Sequence, residues 1–156
     1  MSIEAPVSRY KKQNLMIFMV LFVGLGIWFY YDGYHNESFI EDNTIVDEEG
    51  NERPNATLIF NQKVPPFLFG GAALVAVYFL KIRNQKLIAD ESALHLNGKT
   101  VDFNAIEKID KTHFDRKGFF VMTYKDPQGR SRDLKLSDRK YDNLSEVLDH
   151  VVAKIC

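Results

Sequence analysis

Few side chains in this sequence are able to do chemistry at neutral pH, and they are scattered. The four histidines, His35, His95, His113 and His150, include no pair at the H-x-x-x-H spacing that sets two imidazoles on one helical face for zinc. His113-Phe-Asp115 places an imidazole two residues from a carboxylate that could orient it, but no nucleophile or acid partner is near in sequence. Ser92, Ser131, Ser137 and Ser145 occur outside any nucleophile-elbow motif, and there is no glycine-rich phosphate loop. The single cysteine, Cys156, allows neither an intramolecular disulfide nor a multi-cysteine metal site. The acidic run around Asp47 lacks the alternating oxygen-ligand spacing of a calcium loop. The pattern predicts a non-enzyme with no cofactor and no metal.

What remains is charge. Lys108, Lys111, Arg116, Lys117, Arg130, Arg132, Lys135, Arg139 and Lys140 are only partly interleaved with Glu107, Asp110, Asp115, Asp133 and Asp138. One reading is an ordinary solvated surface of mixed sign. The other is a basic edge lying on an anionic leaflet or an acidic partner, where each cation contributes about 1 kcal/mol. Arg116, Lys117, Arg130, Arg132, Arg139 and Lys140 are the contact candidates. The formal net charge is -1 and no Lys/Arg block is long enough to suggest nucleic acid.

Two apolar, charge-free stretches position everything else: residues 15–31 and 64–80. In hydrocarbon the backbone must satisfy its own hydrogen bonds, so such runs read as spanning helices. Seventeen residues of helix cover roughly 25 Å, and flanking residues make up the rest of the bilayer core. Trp28, Tyr30 and Tyr31 suit the headgroup zone, while Lys11 and Lys12 precede the first span and Lys81 and Arg83 follow the second. By the positive-inside bias both termini are cytoplasmic and the acidic loop is outside. Bulky Trp28-Phe-Tyr-Tyr-Asp32 follows the first stretch where a cleavage site needs small residues, so an anchor is expected rather than a cleaved signal. The expected organisation is a tail over 1–14, spans over 15–31 and 65–82, an outer loop over 32–64 and a cytoplasmic domain over 83–156. Gly24, Gly26, Gly70, Gly71, Ala72 and Ala73 are candidate packing positions, either within a helical hairpin or against another integral-membrane subunit. No charge lies in mid-membrane, which argues against transport. In the outer loop, residues 43–47 and 55–60 read as a small β-hairpin, and Asn36-Glu-Ser38 and Asn55-Ala-Thr57 match the glycosylation sequon.

After Lys86 the pattern becomes short strands: 86–89, 93–96, 100–103, 106–111, 118–125 and 132–136. Asn97-Gly98 is a hairpin signal, and Asp126-Pro-Gln-Gly129 a turn. Leu144, Val147, Leu148, Val151, Val152 and Ile155 then form one stripe of a closing helix, with Asn143 and Glu146 as a variant capping box. Strands followed by one amphipathic helix make an α+β unit.

Asn97-Gly-Lys-Thr-Val-Asp-Phe103, Ile106-Glu-Lys-Ile109, Gly118-Phe-Phe-Val-Met-Thr-Tyr124 and the closing helix resemble the bacterial pleckstrin-homology-like domains. Two membrane helices ahead of such a domain resemble the small membrane proteins of that group. The resemblance covers about half the chain and implies a curved antiparallel sheet or barrel of seven strands, capped by the helix, with no catalytic residues. Six strands are legible here. Members that bind phosphoinositides use a basic first hairpin, whereas 89–100 offers Lys99 against Asp90 and Glu91. The expected function is a membrane-anchored scaffold: an accessory or assembly subunit of a larger integral-membrane complex, of respiratory or photosynthetic kind. The alternative is a module that binds or senses lipid headgroups of the phospholipid bilayer.

Overall fold

The computed structural model describes residues 2–155; Met1 and Cys156 lie outside the described residues, and so does the reading of the lone thiol. The elements in chain order begin with strand β1 (Ile3–Pro6) and helices α1 (Arg9–Tyr34) and α2 (Glu37–Asp42). Strands β2 (Thr44–Val46) and β3 (Glu52–Pro54) and helices α3 (Ala56–Lys63) and α4 (Pro65–Ile82) follow. Then come β4 (Lys86–Ala89), β5 (Ala93–Leu96), β6 (Lys99–Asp102), a 3-10 turn at Phe103–Ala105 and β7 (Ile106–Asp110). The chain continues through α5 (Phe114–Lys117), β8 (Phe119–Lys125), β9 (Ser131–Ser137) and α6 (Leu144–Ile155). The fold is mixed α/β with antiparallel sheets, and it divides into two units: residues 14–79, and the residues on either side of them.

The flanking unit holds a four-stranded sheet in the order β1-β4-β5-β6 and a three-stranded sheet β7-β8-β9, neither closed into a barrel. Its core is made by alternation. Phe120 and Met122 of β8 and Leu136 of β9 point inward and are buried, while the intervening residues face out. The β5–β6 turn needs positive φ at both central positions; Asn97 (47°) and Gly98 (79°) supply it. Helix α6 packs on β1, β4 and the 3-10 turn. Of its predicted stripe, Leu144, Val147, Leu148 and Val151 are buried, whereas Val152 and Ile155 lie at its margin. The Asn143–Glu146 coupling differs from a capping box: with φ of 60°, the Asn143 side chain donates through Nδ2 to Glu146 Oε2 at 2.8 Å, while its backbone O accepts from Val147 N at 3.5 Å.

One expectation for this unit is corrected. The tail over 1–14 is not a tail. Ile3–Pro6 is an edge strand paired with β4, with Ala5 opposite Leu87 and fully buried. Pro6 ends the strand, where a missing N–H costs no central ladder bond. Val7 bridges Tyr141, and Ser8 to Lys12 open α1.

Two helices, Arg9–Tyr34 and Ala56–Ile82 (α3 and α4 run together), supply most of the unit 14–79 and are long and apolar enough to cross a membrane. Val20, Phe67 and Leu74 are more than 70% exposed, a surface that suits hydrocarbon better than water. A Cβ on Gly26 would lie 2.9 Å from the Phe69 ring, and one on Gly71 3.2 Å from that of Phe22. Gly26, Gly71 and the buried Ala72 therefore sit where the helices approach closely. Gly24 and Gly70 face open space, and Ala73 is exposed. Trp28, Tyr30 and Tyr31 are exposed. The loop hairpin is β2–β3, turning at Asp47–Gly50, so the expected strand over 55–60 is corrected to helix α3. Asn55 caps that helix by accepting from Leu58 N at 2.9 Å, and its Nδ2 donates to Asn43. Asn36 likewise caps α2 and donates to Asp32. Both sequon asparagines are thus structural caps.

Candidate functional site

The six contact candidates do not form one surface. Arg130 and Arg132 flank the β8–β9 turn, where both donate to Asp126 Oδ2, at 3.0 and 3.3 Å. Asp126 Oδ1 also accepts the backbone N–H groups of Gln128 and Arg130. The Arg130 backbone bond above all, with the two guanidiniums, holds the Asp126 carboxyl below the ordinary carboxylate range. These arginines are committed to a turn.

Arg116, Lys117 and Arg139 converge instead, and Lys135 joins them. Arg116 and Lys117 end the single turn α5, which Phe114 anchors edge-on to buried Phe120 at 5.8 Å between centroids. Gly118 stops α5 in the left-handed region (φ 65°), donating to Phe114 O at 2.8 Å. A Cβ there would fall 1.9 Å from Asp138 Oδ2, so only glycine lets the two segments touch. Asp138 N donates to Gly118 O at 2.8 Å, which brings Arg139 alongside. From the other side, buried Ser8 donates its hydroxyl to Arg139 O at 2.6 Å and accepts from Lys11 N at 3.2 Å. That one side chain caps α1 and pins the Arg139 backbone beside it. On β9, Lys135 points outward and lies 3.7 Å over the Phe119 ring, its diagonal cross-strand neighbour.

The result is a groove of about 530 Å³ walled by Tyr10, the segment from Phe114 to Gly118, and Asp138–Arg139. A second hollow of about 350 Å³ shares Arg116, Lys117 and Arg139 with it and adds Phe119, Lys135 and Ser137. Among the described residues none of Arg116, Lys117, Lys135 and Arg139 has a carboxylate within ion-pair distance, whereas Lys86, Lys125 and Lys154 are paired to Glu4, Glu107 and Glu91. Lys140 lies 5.4 Å over the Tyr141 ring and takes no part in the groove walls. Sequence reasoning counted Lys135 among the cations without singling it out, and missed Tyr10. The alternation of Leu134 and Leu136 inward with Lys135 outward was the available signal for the first.

The histidines are placed differently from the His113-Phe-Asp115 expectation. The His113 ring sits against Phe119 at 5.3 Å and makes no hydrogen bond to Asp115 among the described residues. The imidazole–carboxylate pair is His95–Asp90: Nε2–H donates to Oδ2 at 2.7 Å and Nδ1 meets Thr100 Oγ1 at 3.1 Å. Asp90 Oδ1 accepts from Ser92 N and Ala93 N, and Asp90 O from His150 Nε2 at 2.7 Å. The Ser92 N–H first, then the His95 ring and the Ala93 N–H, hold the Asp90 carboxyl well below its usual range. Lys154 acts likewise on Glu91, lowering it to about 2. Ser92 Oγ donates to Asp90 itself, and the hydroxyl that meets the ring is that of Thr100. The cluster ties α6 to the β4–β5 turn. Among the described residues no group of three or more His, Cys, Asp or Glu is gathered to hold a metal ion.

Comparison of the chain with protein-family models, with curated proteins and with solved structures gave no match.

Proposed function

We propose that this chain is a non-catalytic, membrane-anchored module of pleckstrin-homology-like type, whose basic groove rests on anionic lipid headgroups at the cytoplasmic face of a bacterial inner membrane. The observation that carries it is the convergence of Arg116, Lys117, Lys135 and Arg139 from three segments, with no carboxylate within ion-pair distance among the described residues, around the groove that includes Tyr10 and the hollow beside it. Tyr10 precedes the first apolar stretch by five residues, so the groove is juxtamembrane in sequence. Each cation near an anionic surface contributes about 1 kcal/mol, and four are enough to hold a domain in one pose. The strand β1 supports the family resemblance: with β4 to β9 it makes seven antiparallel strands in groups of four and three among the described residues, followed by a closing helix. In that reading the apolar helices are an insertion between the first and second strands.

The test uses the full chain in lipid nanodiscs, spin-labelled at His113→Cys in a Cys156→Ser background. Anionic nanodiscs should lower the label's accessibility to a water-soluble relaxation agent, relative to neutral nanodiscs, and about 0.5 M salt should restore it by screening. Equal accessibility in both bilayers would overturn the proposal. A second reading, an accessory or assembly subunit of a larger integral-membrane complex, is favoured by Gly24 and Gly70, whose small faces meet nothing within 4 Å.

A further inference from the structure

We infer that the same groove is a site for a doubly charged phosphate group, the phosphomonoester of a lipid headgroup rather than the diester of an ordinary phospholipid. The inference rests on the lipid-facing reading of the groove and narrows it. Two arginines, Arg116 on α5 and Arg139 after β9, line one groove, and both also line the adjoining hollow with Lys117 and Lys135. Planar guanidiniums suit the tetrahedral oxygens of phosphate through paired N–H donors, and ammonium groups add point charge.

Two carboxylates oppose them. Asp115 lines the groove on α5, and Asp138 lines it while accepting from Ser137 Oγ at 3.5 Å. Four cations against two carboxylates leave a surplus of two positive charges across the two hollows. A phosphomonoester carries about -1.5 to -2 at neutral pH and matches that surplus, whereas a diester carries one negative charge and leaves half of it unmet. The backbone around the cations is already held, by Gly118 against Asp138 and by Ser8 on Arg139 O, so less ordering is needed on binding. The Lys135 ammonium is fixed over Phe119 for the same effect. Arg130 and Arg132 are spent on Asp126 and lie outside the site.

The experiment titrates the detergent-solubilised full chain by calorimetry with three probes: dihexanoyl phosphatidic acid, dihexanoyl phosphatidylglycerol and inorganic phosphate. The expected result is a preference of about tenfold or more for phosphatidic acid over phosphatidylglycerol, weakening between pH 8 and pH 5 as the monoester takes up its second proton. Arg116→Gln with Arg139→Gln should remove the preference, and Arg130→Gln with Arg132→Gln should leave it. Both pairs are exposed, and an unchanged far-UV spectrum shows that the variants fold. Inorganic phosphate binding as tightly as phosphatidic acid would keep the phosphate site but make the free ion its source. Equal affinity for the two lipids, lost at high salt, would overturn the phosphate site and leave the surface reading standing. Binding of none of the three would overturn both.

Discussion

At the residue scale, carboxylates do much of the local shaping. Asp90 gathers two backbone N–H groups and the His95 ring, Asp126 gathers a turn and two arginines, and Glu91 takes the Lys154 ammonium. Each is held in its charged form, so each favours the folded state only while ionised. The folded pKa lies below the unfolded one; for Glu91 it falls from 4.5 to about 2. The stability they contribute is therefore complete above the ordinary carboxylate range and is lost as pH falls through the lowered values. Thermal melts of the solubilised chain should give a midpoint that is flat from pH 8 to about 5 and falls steadily below about 4.5, as unfolded carboxylates begin to take up protons. Asp90→Asn with Glu91→Gln should shrink that acid-side loss. Neither carboxylate was singled out in the sequence for this role, because the partners that lower them (His95, Lys154) are placed by the sheet and by α6.

At the element scale, β1 decides what the folded unit is. It lies more than seventy residues ahead of its partner β4, is four residues long and ends in proline, so nothing in its own pattern marks it as a strand. Its value comes from pairing: Ala5 is fully buried opposite Leu87, while Glu4 faces out and meets Lys86 at 2.6 Å. Ala5→Glu should bury an unpaired charge and lower stability by about 3 kcal/mol or more, read as a shifted denaturant midpoint in far-UV circular dichroism. Glu4→Ala loses only an exposed ion pair and should change it by less than about 1 kcal/mol. A fragment begun at residue 83 lacks this strand, so a soluble version should join residue 13 to residue 80 with a linker. Helix α6 and the Asn97-Gly98 hairpin were legible because their signals are local: a single apolar stripe and two positive-φ positions.

At the scale of the whole molecule, the small residues of α1 and α4 separate into two sets. Gly26 and Gly71 lie under Phe69 and Phe22, so larger residues there would strain the helices' own contact. Gly24 and Gly70 are open, so Gly24→Leu with Gly70→Leu should leave folding unchanged and act only on partners. If the chain is a subunit of a larger complex, that variant should lose co-migrating proteins when native membranes are solubilised gently and separated by size. Unchanged recovery would count against helix-mediated assembly and favour the lipid-facing role. Spacing alone treated all the small residues alike, because which face meets a neighbour depends on how the helices are rotated.

The sequence by itself determined two apolar helices, an intervening polar loop, seven of the nine strands among the described residues and the closing helix. These follow from local periodicity, turn chemistry and the absence of charge, which need no knowledge of distant contacts. Only the tertiary structure decided that residues 3–6 complete a sheet begun at residue 86, that Asn55 starts a helix, and that Arg116, Lys117, Lys135 and Arg139 meet while Arg130 and Arg132 do not. The reason is common to all three. A strand's partner, a cap's second hydrogen bond and a cation's freedom from carboxylates are each set by residues far away in the chain, and the fold alone brings those residues together.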